Sequence, residues 1–128
     1  MREIKFRAWA SGKMYTFDNR EWLLITGSGY IAFSSDPGGL SDEDSNNLDS
    51  EDFVLMQFTG LSDKNGVEVY EGDVVKMYPD TDNSFITKII FHERFASFEV
   101  ATTGNCIGIY RKEDIEVIGN IHSNPELL

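Results

Sequence analysis

Met56-Gln57-Phe58-Thr59-Gly60-Leu61-Ser62-Asp63-Lys64-Asn65-Gly66-Val67-Glu68-Val69-Tyr70-Glu71-Gly72-Asp73-Val74-Val75 sets two sharp bends between three extended runs. The first run, Phe53–Phe58, is apolar and rich in strand-forming residues. Val67–Tyr70 alternates apolar with polar, and Val74–Tyr78 is a third run that stops at Pro79. Asp63-Lys64-Asn65-Gly66 reads as a turn, because Asn-Gly supplies the positive φ angles of tight hairpins. Glu71-Gly72-Asp73 is the second bend, with Gly72 free to take φ above zero. Bends this close force short, curved strands, which suit a small barrel or roll better than a flat sheet.

The same pattern continues on both sides. Downstream, Phe85–Phe91 and Arg94–Val100 read as two strands around His92-Glu93, and Cys106–Tyr110 as another. Arg111–Asp114 has room for one helical turn, and Ile115–Ile121 reads as a closing strand before Pro125 ends regular structure. Upstream, Ile4, Phe6 and Ala8 alternate with Glu3, Lys5, Arg7 and Trp9, which predicts a half-buried strand with Trp9 on its polar face. Ser11-Gly12 turns into Met14–Phe17, and Trp22–Ile25 and Tyr30–Phe33 flank a glycine-containing hairpin turn. Residues 34–52 break the pattern: seven acids and no bases lie between Asp36 and Asp52, with little to bury, which predicts a mobile acidic loop. The expectation is a single domain over 1–128 of all-β class: N-terminal strands over 1–33, the loop over 34–52 and a β-roll core over 53–128.

Composition narrows the function classes. The 128 residues carry 22 Asp and Glu against 11 Lys and Arg, a formal net charge of −11. That balance disfavours phosphate backbones and anionic membranes. Residues 1–20 run against it, with five cations and two anions, leaving −14 on the rest. No apolar run approaches the length of a membrane-spanning helix, and Met1–Lys5 has no secretory apolar region, so a cytoplasmic location is expected. The one cysteine, Cys106, lies in an apolar run and reads as a small buried hydrophobe rather than a nucleophile.

Three stretches resemble the YopX family, which occurs largely in bacteriophages and prophages of Gram-positive bacteria. They are Ile4–Trp9 with Lys13-Met14-Tyr15, Met56–Gly66 continuing through Tyr70-Glu71-Gly72-Asp73-Val74-Val75, and Ile115–Leu127. The resemblance implies a mostly-β fold with an SH3-like roll in the C-terminal part, and a phage or prophage origin. It implies no particular reaction. Gly60, Gly66 and Gly72 read as turn residues, Asp63 and Asp73 as turn caps, and Tyr70 as the anchor of a barrel corner, so the motif residues have a structural explanation.

Candidate chemistry is sparse. His92 and His122 are far apart in sequence without neighbouring ligands at metal spacing, so no metal and no cofactor are expected. Asp42, Asp44 and Asn46 begin like a calcium loop, but Asn47 stands where the turn glycine belongs. Glu71 and Asp73 could pair as acid and base, yet turn chemistry accounts for them, and no nucleophile elbow or phosphate loop occurs. The expectation is a non-enzyme: a phage-type accessory module that binds a protein partner, with Trp9, Trp22 and Tyr78 as contact residues. The alternative is a nucleic-acid-associated or DNA-mimicking β-roll acting on a host DNA-binding protein. Exposed strand edges also make self-association into a homo-oligomer an expectation.

Overall fold

The computed structural model describes residues 3–10, 12–16, 24–25, 31–32 and 54–128. Among these the protein is all-β: its strands are short and antiparallel, and its helical pieces are single 3-10 turns. Among the described residues, no helix is long and apolar enough to cross a membrane. The predicted loop 34–52 and Trp22 lie outside the described residues. The chain divides into two compact units, residues 5–56 and residues 1–4 with 57–128.

In the unit of residues 5–56, strands β1 (Phe6–Ala10) and β2 (Lys13–Thr16) form a hairpin with Trp9 opposite Met14. Strands β3 (Leu24–Ile25) and β4 (Ile31–Ala32) pair in the antiparallel sense. The expected alternation in β1 fails at Arg7, which is 9% exposed beside the fully buried Ala8. Its guanidinium Nη2 donates to the Met56 sulfur at 3.7 Å. A flat, weakly hydrated guanidinium can lie along apolar side chains where an ammonium would not.

The larger unit starts within β5 (Val54–Ser62), which is longer than the predicted run. It pairs with β6 (Glu68–Tyr70) through Phe58 opposite Tyr70 and Ser62 opposite Glu68. The register shifts between those pairs, around Gly60 at φ +91°. A bulge here bends the strand in place of ending it. Strands β7 (Asp73–Met77), β8 (Phe85–His92), β9 (Ser97–Val100), β10 (Asn105–Cys106) and β11 (Ile115–Asn120) form an antiparallel sheet in the order β10-β9-β8-β7-β11. The register explains the core. Met77 faces Phe85 and Ile115, Val75 faces Thr87 and Val117, and Ile89 faces Val100. Period-two alternation then puts all of these on one face. Val69, Val75, Met77, Ile89, Val100, Ile107 and Ile115 make the buried cluster, each worth about 1.5–3 kcal/mol of burial.

Two predicted boundaries and one turn type change. The strand expected from Arg94 begins at Ser97, because Glu93–Ala96 are spent on a turn in which Ala96 takes φ +49°. The strand expected over Cys106–Tyr110 stops at Cys106, and Ile107–Ile109 wind into a 3-10 turn. Cys106 is therefore exposed rather than buried: it sits on the edge strand opposite Glu99, and Ile107 enters the core instead. In the hairpin at 63–66, Gly66 has φ +80° whereas Asn65 keeps a negative φ. The loop is a four-residue turn closed by Gly66 N–H to Asp63 O at 3.0 Å, not a two-residue turn with both angles positive.

Candidate interaction surface

The motif residues lie where the backbone is joined. Asp63 is 1% exposed, and its carboxylate accepts three backbone N–H groups. Oδ1 takes those of Asn65 and Val67 at 2.8 and 2.9 Å, and Oδ2 takes that of Val117 at 2.9 Å. Lys64 N–H adds a bond to Ile115 O at 3.0 Å. Gly72, at φ +84°, donates to Ile89 O at 2.7 Å and accepts from Ile121 N–H at 2.9 Å. Only a residue without Cβ holds that angle at no steric cost. Asp73 is also 1% exposed, and its Oδ2 accepts Tyr70 N–H at 2.8 Å. The Tyr70 ring packs 5.5 Å from that of Phe58. The central and C-terminal stretches of the sequence are thus joined by hydrogen bonds in space.

The three expected contact residues fare differently. Trp9 is half-buried in β1, Tyr78 is half-buried in the other unit, and Trp22 lies outside the described residues. Tyr78 takes φ +52°, its N–H donates to Asp114 O at 2.8 Å, and its ring meets Phe85 and Tyr110 at 6.2 and 6.1 Å. That ring is packed against the core.

A different group stands out at the β8–β9 hairpin. Phe91 is 42% exposed and Phe95 66% exposed. The Phe91 and Phe98 rings lie 5.2 Å apart, the His92 ring stacks on Phe95 at 4.8 Å and 30°, and the Arg94 guanidinium carbon sits 5.7 Å from the Phe95 ring centre. Sequence reasoning placed Arg94 and Phe95 inside a strand and so did not group them. The turn expected at His92-Glu93 falls instead at Glu93–Ala96. Among the described residues, no group of three His, Cys, Asp or Glu side chains converges as metal ligands.

Among the described residues of this unit, Lys64 and Arg111 make ion pairs. Lys64 Nζ lies 2.8 Å from Asp80 Oδ2 and 4.0 Å from Glu116. The hydrogen bond to Asp80 raises the Lys64 pKa, and the same bond lowers that of Asp80. The Arg111 guanidinium meets Asp114 at 3.4 Å, which raises the pKa of Arg111.

Comparison with known proteins agrees with the strand pattern. The family model described as YopX protein matches residues 5–128. The crystal structure of protein EF1440 from Enterococcus faecalis is 31% identical, covers 99% of both chains and superposes with a TM-score of 0.64. The crystal structure of the protein yopX from Bacillus subtilis is 21% identical, covers 100% of this chain and 99% of its own, and gives a TM-score of 0.63. A search of curated proteins finds no match.

Proposed function

On the premise that the chain belongs to the YopX family, we propose that it is a non-enzymatic accessory protein of phage or prophage type, acting in the host cytoplasm by binding another protein. The observation that carries this reading is the exposed aromatic tip of the β8–β9 hairpin, with Phe95 66% exposed. Solvent exposure of a phenylalanine is unfavourable in the free protein, and aromatic rings with a neighbouring arginine are the side chains that dominate protein interfaces. Asp63 and Asp73, the acids of the most distinctive stretch, spend hydrogen bonds on backbone amides, which supports a scaffold role for that stretch.

The test is cross-linking of the full-length protein in a Gram-positive host extract. Any captured protein is then made separately and its affinity measured by calorimetry. A saturable complex of about micromolar affinity or tighter supports a binding module. The absence of any saturable partner, or turnover of a small molecule that tracks the purified protein, overturns it.

A further inference from the structure

We propose that Asn65-Gly66, at the tip of the β5–β6 hairpin, is a site of spontaneous covalent modification, at which conversion of Asn65 to isoaspartate releases the joint that Asp63 makes with β11. This goes beyond the binding-module reading and does not rest on it. Asn65 is the one asparagine of the chain followed by glycine, so no Cβ on residue 66 crowds the approach of its backbone nitrogen to the Asn65 side chain. Asn65, Gly66 and Val67 are all exposed, and a Cβ built on Gly66 would meet nothing within 4 Å. Water and a new ring therefore have room. Among the described residues the Asn65 side-chain amide makes no hydrogen bond, whereas its backbone N–H is held by Asp63 Oδ1 at 2.8 Å. The other described asparagines differ. Asn105 Nδ2 donates to the Tyr110 hydroxyl at 3.2 Å, Asn120 Oδ1 accepts from the His122 and Ser123 N–H groups, and Asn124 precedes Pro125, whose nitrogen has no hydrogen to lose. Asn83 precedes Ser84, which carries the Cβ that glycine lacks.

The step balances as an exchange of ammonia for water. The Gly66 nitrogen loses its proton to solvent hydroxide and attacks Asn65 Cγ. The N–Cγ bond forms as the Cγ–Nδ2 bond breaks, and ammonia leaves with a proton taken from water, closing a cyclic imide. Water then opens the imide at either of its carbonyls. Opening at Cγ gives aspartate. Opening at the backbone carbonyl leaves Gly66 bonded to Cγ, which is isoaspartate, with a methylene added to the main chain and a free α-carboxylate. In the closed turn Gly66 N–H donates to Asp63 O at 3.0 Å, so attack waits on local opening, which costs little at an exposed hairpin tip. Asp63 decides the consequence. Its Oδ1 accepts both Asn65 N–H and Val67 N–H, at 2.8 and 2.9 Å, across the stretch of backbone that lengthens. An added methylene carries Val67 N–H out of that pairing, and the new carboxylate sets a second negative charge beside the buried Asp63. Oδ2 of the same Asp63 carboxylate holds Val117 N–H at 2.9 Å, so the link between hairpin and β11 loosens with it.

The test is to age the full chain in mildly alkaline buffer and follow each asparagine by peptide mapping and mass spectrometry, with isoaspartate identified by enzymatic methylation of its α-carboxylate. The expected result is conversion at residue 65 about tenfold or more faster than at Asn83 or Asn105, with isoaspartate among the products. The converted chain, separated by ion exchange on its extra negative charge, should melt about 4 °C or more below Asn65→Asp, which has the charge without the methylene. Its Val117 amide should also exchange faster. Asn65→Ser removes the reacting amide from an exposed side chain, and its Tm holds through the same ageing. Conversion at residue 65 no faster than at Asn83, or products there without isoaspartate, overturns the site. A converted chain with the Tm of Asn65→Asp and an equally protected Val117 overturns the release of the joint. Equal loss of Tm in aged wild type and aged Asn65→Ser overturns the assignment of that loss to residue 65.

Discussion

Replacing Asp63 with Ala removes one small side chain and leaves three backbone N–H groups without their acceptor. Asn65 and Val67 are exposed, so water can replace the carboxylate there, and each lost bond costs about 1 kcal/mol. Val117 is half-buried and packed against the core, so its N–H loses an acceptor at a site of restricted solvent access, at about 1–3 kcal/mol. The sum is about 3–5 kcal/mol, a large part of the roughly 5–15 kcal/mol that holds a domain folded. At this chain length that corresponds to a fall in Tm of roughly 10–20 °C. Asp63→Asn should lose less, because one oxygen remains while the amide NH₂ meets a backbone donor on one side. Thermal melts by circular dichroism give the Tm, and native-state hydrogen exchange reads the Val117 amide directly. A Tm within about 3 °C of wild type, with Val117 equally protected, would refute the claim that this carboxylate joins the hairpin to β11.

Gly72→Val should cost about 1–3 kcal/mol by forcing a β-branched residue to φ +84°, and an unchanged urea midpoint would show the bend is tolerant. Gly119→Ala places a Cβ 2.5 Å from Asn124 Oδ1 and 2.9 Å from Asn124 Cβ, so the whole side chain must swing away from the Asn120 N–H it accepts. The expected loss is about 1–3 kcal/mol, and Asn124→Ala in the same background should recover part of it. Ala96→Gly relieves the left-handed strain, so its Tm should equal or exceed wild type, whereas alanine-to-glycine elsewhere in a strand lowers it. For the Lys64–Asp80 pair, the lowered Asp80 pKa makes its contribution present above the ordinary 3.8 and lost as pH falls through the depressed value. The raised Lys64 pKa makes it present below the ordinary 10.5 and lost above it. The small Tm difference between wild type and Asp80→Asn should therefore be flat across neutral pH, shrink at both extremes and diminish with added salt.

What could be read from the sequence follows what each residue has to satisfy locally. The all-β class was legible because alternation and closely spaced glycines carry their own geometry: Gly72 takes its positive φ within one bend. The length of β5 was not, because Gly60 looks like a terminator and acts instead at a bulge, which depends on the pairing of β5 with β6. Arg7 and Cys106 were misplaced for a related reason. Burial of Arg7 depends on Met56, distant in sequence, and exposure of Cys106 depends on its lying opposite Glu99 at a sheet edge. The β8–β9 turn was legible but set too early, at His92-Glu93, because the actual bend has no glycine, asparagine or proline: Ala96 occupies the position those residues would have announced.

The distinctive sequence and the proposed docking surface therefore occupy different places, and their energetics separate accordingly. Asp63, Gly72, Gly119 and Asn120 act through backbone hydrogen bonds and close approaches, so changing them lowers folding stability whatever the partner is. Arg94 and Phe95 are exposed and make few contacts of their own, so substituting them costs the free protein little. A surface that contributes little to folding can change its partner without endangering the scaffold, whereas a joint such as Asp63 cannot. Stability and binding should then fail independently: Asp63→Ala lowers Tm in the free protein, while Phe95→Ser leaves Tm in place and weakens partner binding. If the tip variants instead melt early, the exposed ring is holding the hairpin together and binding is not why it is there.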